Sequence, residues 1–106
     1  MSRYIYIRQN KEQLDRGAIK VGLTTNIIAR DYQYKTNEIK SGSYLGIFNI
    51  LNMDDNIKLL QLEQKIHHKL DKIPDSAGTE IFQRNEKTID IIKQCIDDLG
   101  YRFRQI

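Results

Sequence analysis

Two pairs of polar side chains, each four residues apart, are the part of this sequence best suited to chemistry. Arg30 and Tyr34 follow a short apolar run that turns at Gly22, and Glu63 and His67 lie in a later apolar stretch. Residues four apart project from the same side of a helix. A guanidinium beside a phenol suits a phosphate oxygen, and a carboxylate within an apolar stripe is costly unless it is paired or binds a metal.

Both pairs also have an ordinary structural explanation. An Arg and a Tyr on one helix face commonly form a solvated rim, and a Glu at the edge of an apolar stripe can extend its carboxylate to solvent. His67 would then be structural, although it is also placed to orient Glu63 or a ligand. The residue types and spacing therefore leave a phosphate and metal site and a solvated surface both open.

A strand, a turn and a helix must position Arg30 and Tyr34. The start of the chain alternates tyrosine with isoleucine, which is the period of a β-strand. A second apolar run predicts a strand antiparallel to the first, and Thr24-Thr25-Asn26 supplies side chains that can cap the next helix. The predicted strands are Arg3–Gln9, Ala18–Gly22 and Tyr44–Leu51, the last being the most buried, and the predicted helix runs from about Ile27 to about Thr36.

Two further helices complete the predicted fold. Asp54 or Asp55 is expected to cap a helix that ends at about Leu70, and Asn85 is expected to cap a last helix that ends at Gly100. Thr79–Gln83 predicts a small strand or an extended segment, and the last six residues predict an edge strand or a phosphate-contacting arm. The predicted loops are Asn10–Gly17, Asn37–Ser43 and Asp71–Gly78. The expected architecture is α/β of the α+β kind, a small, mostly antiparallel three-stranded sheet flanked by helices.

Composition limits the classes of protein to consider. The 106 residues suit one domain over 1–106, and no apolar run approaches the roughly 18 residues of a membrane span. The single cysteine, Cys95, cannot form an internal disulfide, so a reducing intracellular setting, in cytoplasm or nucleus and not secreted, is expected. The net charge of +3 and the pI near 9.0 favour a polyanionic partner, although a soluble basic protein without such a partner would have the same charge. No membrane association is expected.

The order of the motifs resembles the GIY-YIG nuclease superfamily from about Tyr4 to Phe82. Tyr4-Ile5-Tyr6 is similar to the first motif of the family, where Tyr6 is the better match for the motif tyrosine and Tyr4 stands near its glycine. Lys20-Val21-Gly22 is similar to the second motif, although Lys20 stands where the family normally has a tyrosine and no glycine precedes Ile5.

A variant branch of the family, found in phages and large DNA viruses, carries such a lysine. Its members have Lys-Ile-Gly or Lys-Val-Gly, a Glu followed four residues later by His, and a Gly-x-Glu-aromatic-Phe segment. The corresponding residues here are Lys20-Val21-Gly22, Glu63 with His67, and Gly78-Thr79-Glu80-Ile81-Phe82. The chain resembles this branch more than the main family.

The resemblance implies a DNA endonuclease that depends on Mg²⁺ or Mn²⁺. In that family pattern Glu63 would hold the metal ion, Arg30 would bind the scissile phosphate, and Tyr6 would position or deprotonate the attacking water. Lys20 would favour the deprotonation through its charge, and Tyr34 would assist Tyr6 or replace it as the base. The lysine in the second motif keeps an alternative open, in which the same fold is a catalytically weak or inactive module that binds nucleic acid or a protein.

Overall fold

A five-stranded antiparallel sheet carries the residues identified above. A computed structural model of the chain describes residues 2–37, 42–70 and 81–106. In chain order the elements are β1 (Tyr4–Asn10), α1 (Lys11–Asp15), β2 (Ala18–Thr24), α2 (Ile27–Asn37), β3 (Gly42–Ile50), α3 (Asn56–Lys69), β4 (Ile81–Gln83), α4 (Thr88–Asp98) and β5 (Phe103–Gln105). The strand order is β4-β2-β1-β3-β5, so the first strand of the chain is central.

The prediction of three strands is wrong, because the sheet has five. The two additional strands, β4 and β5, are three residues long and lie in the two segments for which a strand is one of the predicted alternatives, Thr79–Gln83 and the last six residues. The strand alternative is therefore confirmed in both segments, and β5 lies at an edge of the sheet as predicted. The prediction that β3 is the most buried strand is also wrong. β1 lies between β2 and β3, and its five consecutive residues from Ile5 to Gln9 are all buried.

Two local predictions need correction as well. Residues 11–15, predicted as loop, form α1, because Asn10 and Gln13 exchange side-chain-to-backbone hydrogen bonds of 2.8 and 3.0 Å in a capping box. The last helix begins at Thr88 with Lys87 as its N-cap, while the Asn85 side chain accepts from the Lys87 amide just before it. Residues 38–41 of one predicted loop, the predicted loop Asp71–Gly78, and Thr79 and Glu80 lie outside the described residues.

The two faces of the sheet have different chemistry because side chains alternate along each strand. The isoleucine side of β1 packs against α3 and α4 in the hydrophobic core, whose members include Ile5, Ile7, Ile19, Val21, Phe48, Leu59, Leu62, Ile66, Ile92 and Ile96. The opposite side, here named the tyrosine face, consists of Tyr4, Tyr6, Arg8, Lys20, Gly22, Thr24, Tyr44, Ile47 and Asn49, and α2 lies over it.

A β-bulge adjusts which side chain of β3 reaches the tyrosine face. The pairing between β1 and β3 shifts between Ile7 and Arg8, so that Ile7 lies opposite Gly46 and Arg8 lies opposite Tyr44. The skipped residue, Leu45, packs against the hydrophobic core. The bulge therefore brings the Tyr44 ring beside Arg8.

Hydrogen bonds at the N-termini of α2 and α3 agree with the N-caps predicted from the sequence. Asn26 accepts from the Ala29 amide at 3.0 Å, and Asp55 accepts from the Lys58 amide at 2.8 Å, which confirms both capping predictions. Within the described ranges, every helix is too short or too polar to cross a bilayer.

Candidate functional site

Tyr6 and Tyr34 form the centre of the tyrosine face. Their hydroxyl oxygens are 2.7 Å apart, so one phenol donates a hydrogen bond to the other, and their rings meet edge to face with centroids 6.1 Å apart. Tyr6 is only 1% exposed, whereas Tyr34 is half-buried on α2. This pair joins the central strand to the helix that carries Arg30. Tyr4, two residues before Tyr6, is half-buried and lies opposite Thr24.

Gly22 makes room for the Tyr6 phenol. The two residues are directly opposite each other in the β1–β2 register. A Cβ atom added at Gly22 would lie 2.5 Å from the Tyr6 Oη and 2.7 Å from its Cζ, which is closer than non-bonded atoms approach. The glycine of Lys20-Val21-Gly22 is therefore required by the ring across the strand pair.

Gly22→Ala is expected to destabilise the protein by about 1–3 kcal/mol, because the new methyl group must displace the buried Tyr6 ring. Urea unfolding of Gly22→Ala, Tyr6→Ala and the double variant measures this cost as a double-mutant cycle. The alanine at position 22 should cost clearly less when Tyr6 has already been shortened. An equal cost in both backgrounds would show that the glycine is needed for another reason.

Arg8 places a cation in the middle of the tyrosine cluster. Its side chain is 3% exposed, and its guanidinium carbon lies 4.4 Å from the ring centroid of Tyr34 and 4.8 Å from that of Tyr44. Arg8 Nη1 is also 3.5 Å from Asp31 Oδ1 on α2. Stacking on aromatic faces and pairing with a carboxylate are the interactions through which a buried guanidinium is stabilised.

Further charges surround the same tyrosine rings. Lys20, directly opposite Arg8 in the sheet, has its Nζ 5.1 Å from the Tyr34 ring centroid. On α2, Lys35 Nζ lies 3.0 Å from Asp31 Oδ2, so one carboxylate serves two cations. The cluster has more positive than negative charge, which suits the approach of a polyanion.

Arg30 belongs to the same side of the molecule as Tyr34. It is half-buried on α2, one turn before Tyr34. Residues four apart project from the same side of a helix, and the hydroxyl of Tyr34 on that side contacts Tyr6. Tyr6 and Arg30 therefore do not lie on opposite sides of the protein.

Tyr44 takes part in the cluster through its ring. The ring packs edge to face on Tyr6 with centroids 5.7 Å apart, and it receives the Arg8 guanidinium on its face. Burial raises the pKa of Tyr44 above its ordinary value of 10.0, and the positive charge of Arg8 opposes that rise. Within the described residues its buried hydroxyl has no hydrogen-bond partner. At neutral pH Tyr44 is thus an uncharged phenol.

Glu63 and His67 come from α3, which packs on the core side of the sheet, and His67 contacts the second motif. Glu63 is 6% exposed and lies among the buried residues of the helix. One turn later, His67 Nε2 is 2.9 Å from the carbonyl oxygen of Val21, so this nitrogen carries a proton and donates to the carbonyl. The His67 ring also contacts Phe82, with centroids 4.8 Å apart. The imidazole therefore fastens α3 to Lys20-Val21-Gly22.

The possible metal ligands among the described residues fit a site in which the protein supplies few of the ligands. In the part of the chain that the structure describes, no three His, Cys, Asp or Glu residues are grouped as a metal cage. Mg²⁺ does not need such a cage, because it keeps several waters and binds one or two carboxylates together with substrate phosphate oxygens. The buried carboxylate of Glu63 fits this mode, and His67 Nε2 is already engaged with the backbone.

The sequence does not identify three residues of the cluster as candidate site residues. Arg8, Asp31 and Tyr44 contact the tyrosine pair or each other, whereas the sequence predicts only the secondary-structure element that carries each of them. One signal was available, because the two-residue period that puts Tyr4 and Tyr6 on one face also puts Arg8 there. Asp31 carried no such signal, and Tyr44 depended on a bulge that sequence periodicity does not reveal.

Comparison with known proteins places the chain in a family. No curated protein and no solved structure matches it significantly. A model of the T5orf172 domain, which occurs in phage proteins and in proteins associated with GIY-YIG-like and HNH nucleases, matches residues 3–99. That range includes both predicted motifs, the tyrosine cluster and α3. Because the match spans most of its length, the protein belongs to the T5orf172 domain family.

Proposed function

We propose that the protein is a divalent-metal-dependent DNA endonuclease of the GIY-YIG type, in the branch with lysine in the second motif. The observation that carries this proposal is the pair of tyrosine hydroxyls 2.7 Å apart, with the Lys20 ammonium beside the Tyr34 ring. The T5orf172 membership supports a nuclease-like or nucleic-acid-binding role at a coarser level.

The tyrosine pair would act on the attacking water. The Tyr6 hydroxyl orients the water, or takes its proton when the phenol is ionised, and the second phenol of the pair assists through the shared hydrogen bond. The positive charge of Lys20 favours the negative charge that such a phenol carries. Lys20 thereby supplies an electrostatic contribution from the position where the family normally has a tyrosine.

Arg30 would bind the phosphate that is cut. As the water oxygen bonds to phosphorus, charge accumulates on the non-bridging oxygens, and a guanidinium with its planar fork of donors stabilises that charge. Arg30 is suited to this role because it is half-buried on α2, one turn before Tyr34. The 3′ oxygen then leaves as the bond to phosphorus breaks.

Glu63 would hold one Mg²⁺ or Mn²⁺ ion through its carboxylate. A bound ion of this kind neutralises charge on a phosphate oxygen and on the leaving oxygen. Glu63 is buried on α3, and the hydrogen bond of His67 to Val21 holds this helix against the sheet. A carboxylate on a helix held in this way would bind the ion without a rearrangement of the helix.

Conversion of supercoiled plasmid DNA to nicked and linear forms tests the proposal. We expect cleavage in Mg²⁺ or Mn²⁺ and none in EDTA, since the leaving oxygen would lose its stabilising charge. In parallel, binding of a fragment of the same plasmid is measured by gel shift in Ca²⁺ at one stated salt concentration. Binding without cleavage in any divalent ion would contradict the nuclease and favour the catalytically inactive binding module.

A further inference from the structure

We propose that Arg8 is a positioning residue of this site, which holds the Tyr34 phenol against Tyr6 by stacking between the rings of Tyr34 and Tyr44. The inference deepens the proposed nuclease function and rests on it. Arg8 lies outside both motifs on which the family resemblance depends. Arg8 would affect the reaction only by positioning the tyrosines.

The geometry surrounds one guanidinium with aromatic rings. Arg8 lies 4.4 Å from the Tyr34 centroid and 4.8 Å from the Tyr44 centroid, while Tyr6 meets both of those rings edge to face. Tyr34 comes from α2, whereas the other two rings come from the sheet. The flat cation therefore fixes how closely the Tyr34 ring approaches β1, and the 2.7 Å hydroxyl contact depends on that approach.

Stability alone does not account for a charge at this position. Arg8 is 2% exposed on a strand whose buried neighbours are mostly apolar, and removing a guanidinium from water is costly. A buried ion pair is often no better for stability than apolar side chains of similar volume. An unbranched apolar residue would fill the same space, so the presence of a charge points to a role in the site.

The surrounding charges allow the guanidinium to be removed without isolating a carboxylate. Asp31, the acidic partner of Arg8, is also 3.0 Å from Lys35 Nζ, and its side chain is 32% exposed. Lys20, whose ammonium is near the Tyr34 ring, and Arg30, one turn before Tyr34 on α2, remain in place. Loss of Arg8 should therefore affect the ring position more than the folding equilibrium.

Arg8→Met removes the cation while keeping a flexible side chain of similar length. We expect its single-turnover cleavage rate to fall about a hundredfold, since a small misplacement of reacting groups has effects of that order. DNA affinity in Ca²⁺ and the urea midpoint should stay close to those of the wild type. Arg8→Lys should recover part of the rate, because an ammonium still attracts the ring faces but cannot stack flat between them.

Arg16→Met is the matched control, since it removes the same charge from an exposed position after α1. It should leave the rate unchanged. A parallel fall of rate and urea midpoint in Arg8→Met would make Arg8 a structural residue, and an unchanged rate would also overturn the inference.

A readout without DNA separates this inference from the nuclease proposal. The near-ultraviolet circular dichroism of the tyrosines reports whether the rings keep a fixed arrangement, and we expect Arg8→Met to weaken it while far-ultraviolet signals stay intact. Should the wild-type protein cleave nothing, the proposed function fails on its own. The positioning role then fails too if the tyrosine signal of Arg8→Met equals that of the wild type.

Discussion

Arg30→Ala is expected to lower the single-turnover rate of DNA cleavage by about 10²–10³-fold, the loss typical of removing one donor that stabilises transition-state charge. The affinity for the same duplex in Ca²⁺ should fall by less than about tenfold, because other basic residues also contact the phosphate backbone. Lysine at this position should restore little of the rate, since a point charge cannot reproduce the two-pronged geometry of a guanidinium.

The measurement requires rate and binding at one salt concentration, with Arg16→Ala as the control for loss of a single exposed positive charge. Equal losses of rate and affinity in Arg30→Ala would make Arg30 a docking contact only. Cleavage at the wild-type rate would show that Arg30 on α2 does not belong to the active site.

Glu63→Gln is expected to abolish metal-dependent cleavage, because glutamine keeps the size and helix preference of the residue but removes the charge that holds the ion. The free energy of unfolding should change by no more than about 1 kcal/mol, since the substitution leaves no cavity in the core around α3. Cleavage assays, urea unfolding and calorimetric titration with Mn²⁺ are the three measurements.

Glu86→Gln, at an exposed position before α4, is the control for the charge change. Loss of cleavage together with loss of Mn²⁺ binding in Glu63→Gln supports the metal role. Full activity in that variant would remove Glu63 from the mechanism, and wild-type Mn²⁺ binding would place the ion elsewhere.

The arrangement of the candidate site could be partly predicted because its residues sit on elements with strong local patterns. The tyrosine and isoleucine alternation of β1 assigns Tyr6 to one face, and the apolar spacing of α3 identifies Glu63 as a carboxylate in a buried stripe. Helices α2 and α3 are preceded by the N-cap residues Asn26 and Asp55, whose side chains accept hydrogen bonds from backbone amides as predicted. In each case a few neighbouring residues determine the outcome.

The remaining features depend on partners distant in the chain. For the segments of β4 and β5 the sequence leaves a strand and an alternative open, and pairing with β2 and β3 decides for the strand. The burial of Arg8 opposes the usual exposure of arginine and follows from rings supplied by Tyr34 and Tyr44. Helix α1 has no apolar periodicity, and its capping box alone distinguishes it from a loop.

The alternation along β1 limits which insertions and deletions the gene for this protein can tolerate. Tyr6 and Arg8 alternate with Ile5 and Ile7. One residue added to or removed from the strand would therefore turn the phenol toward the core beneath α3 and α4, and would turn an isoleucine toward α2. A residue added between Tyr44 and the bulge at Leu45 would have a similar effect, because it would shift the start of β3 along β1 and Arg8 would no longer lie opposite Tyr44. Changes of chain length during evolution should therefore accumulate between the elements, while the strands of the tyrosine face keep their residue count.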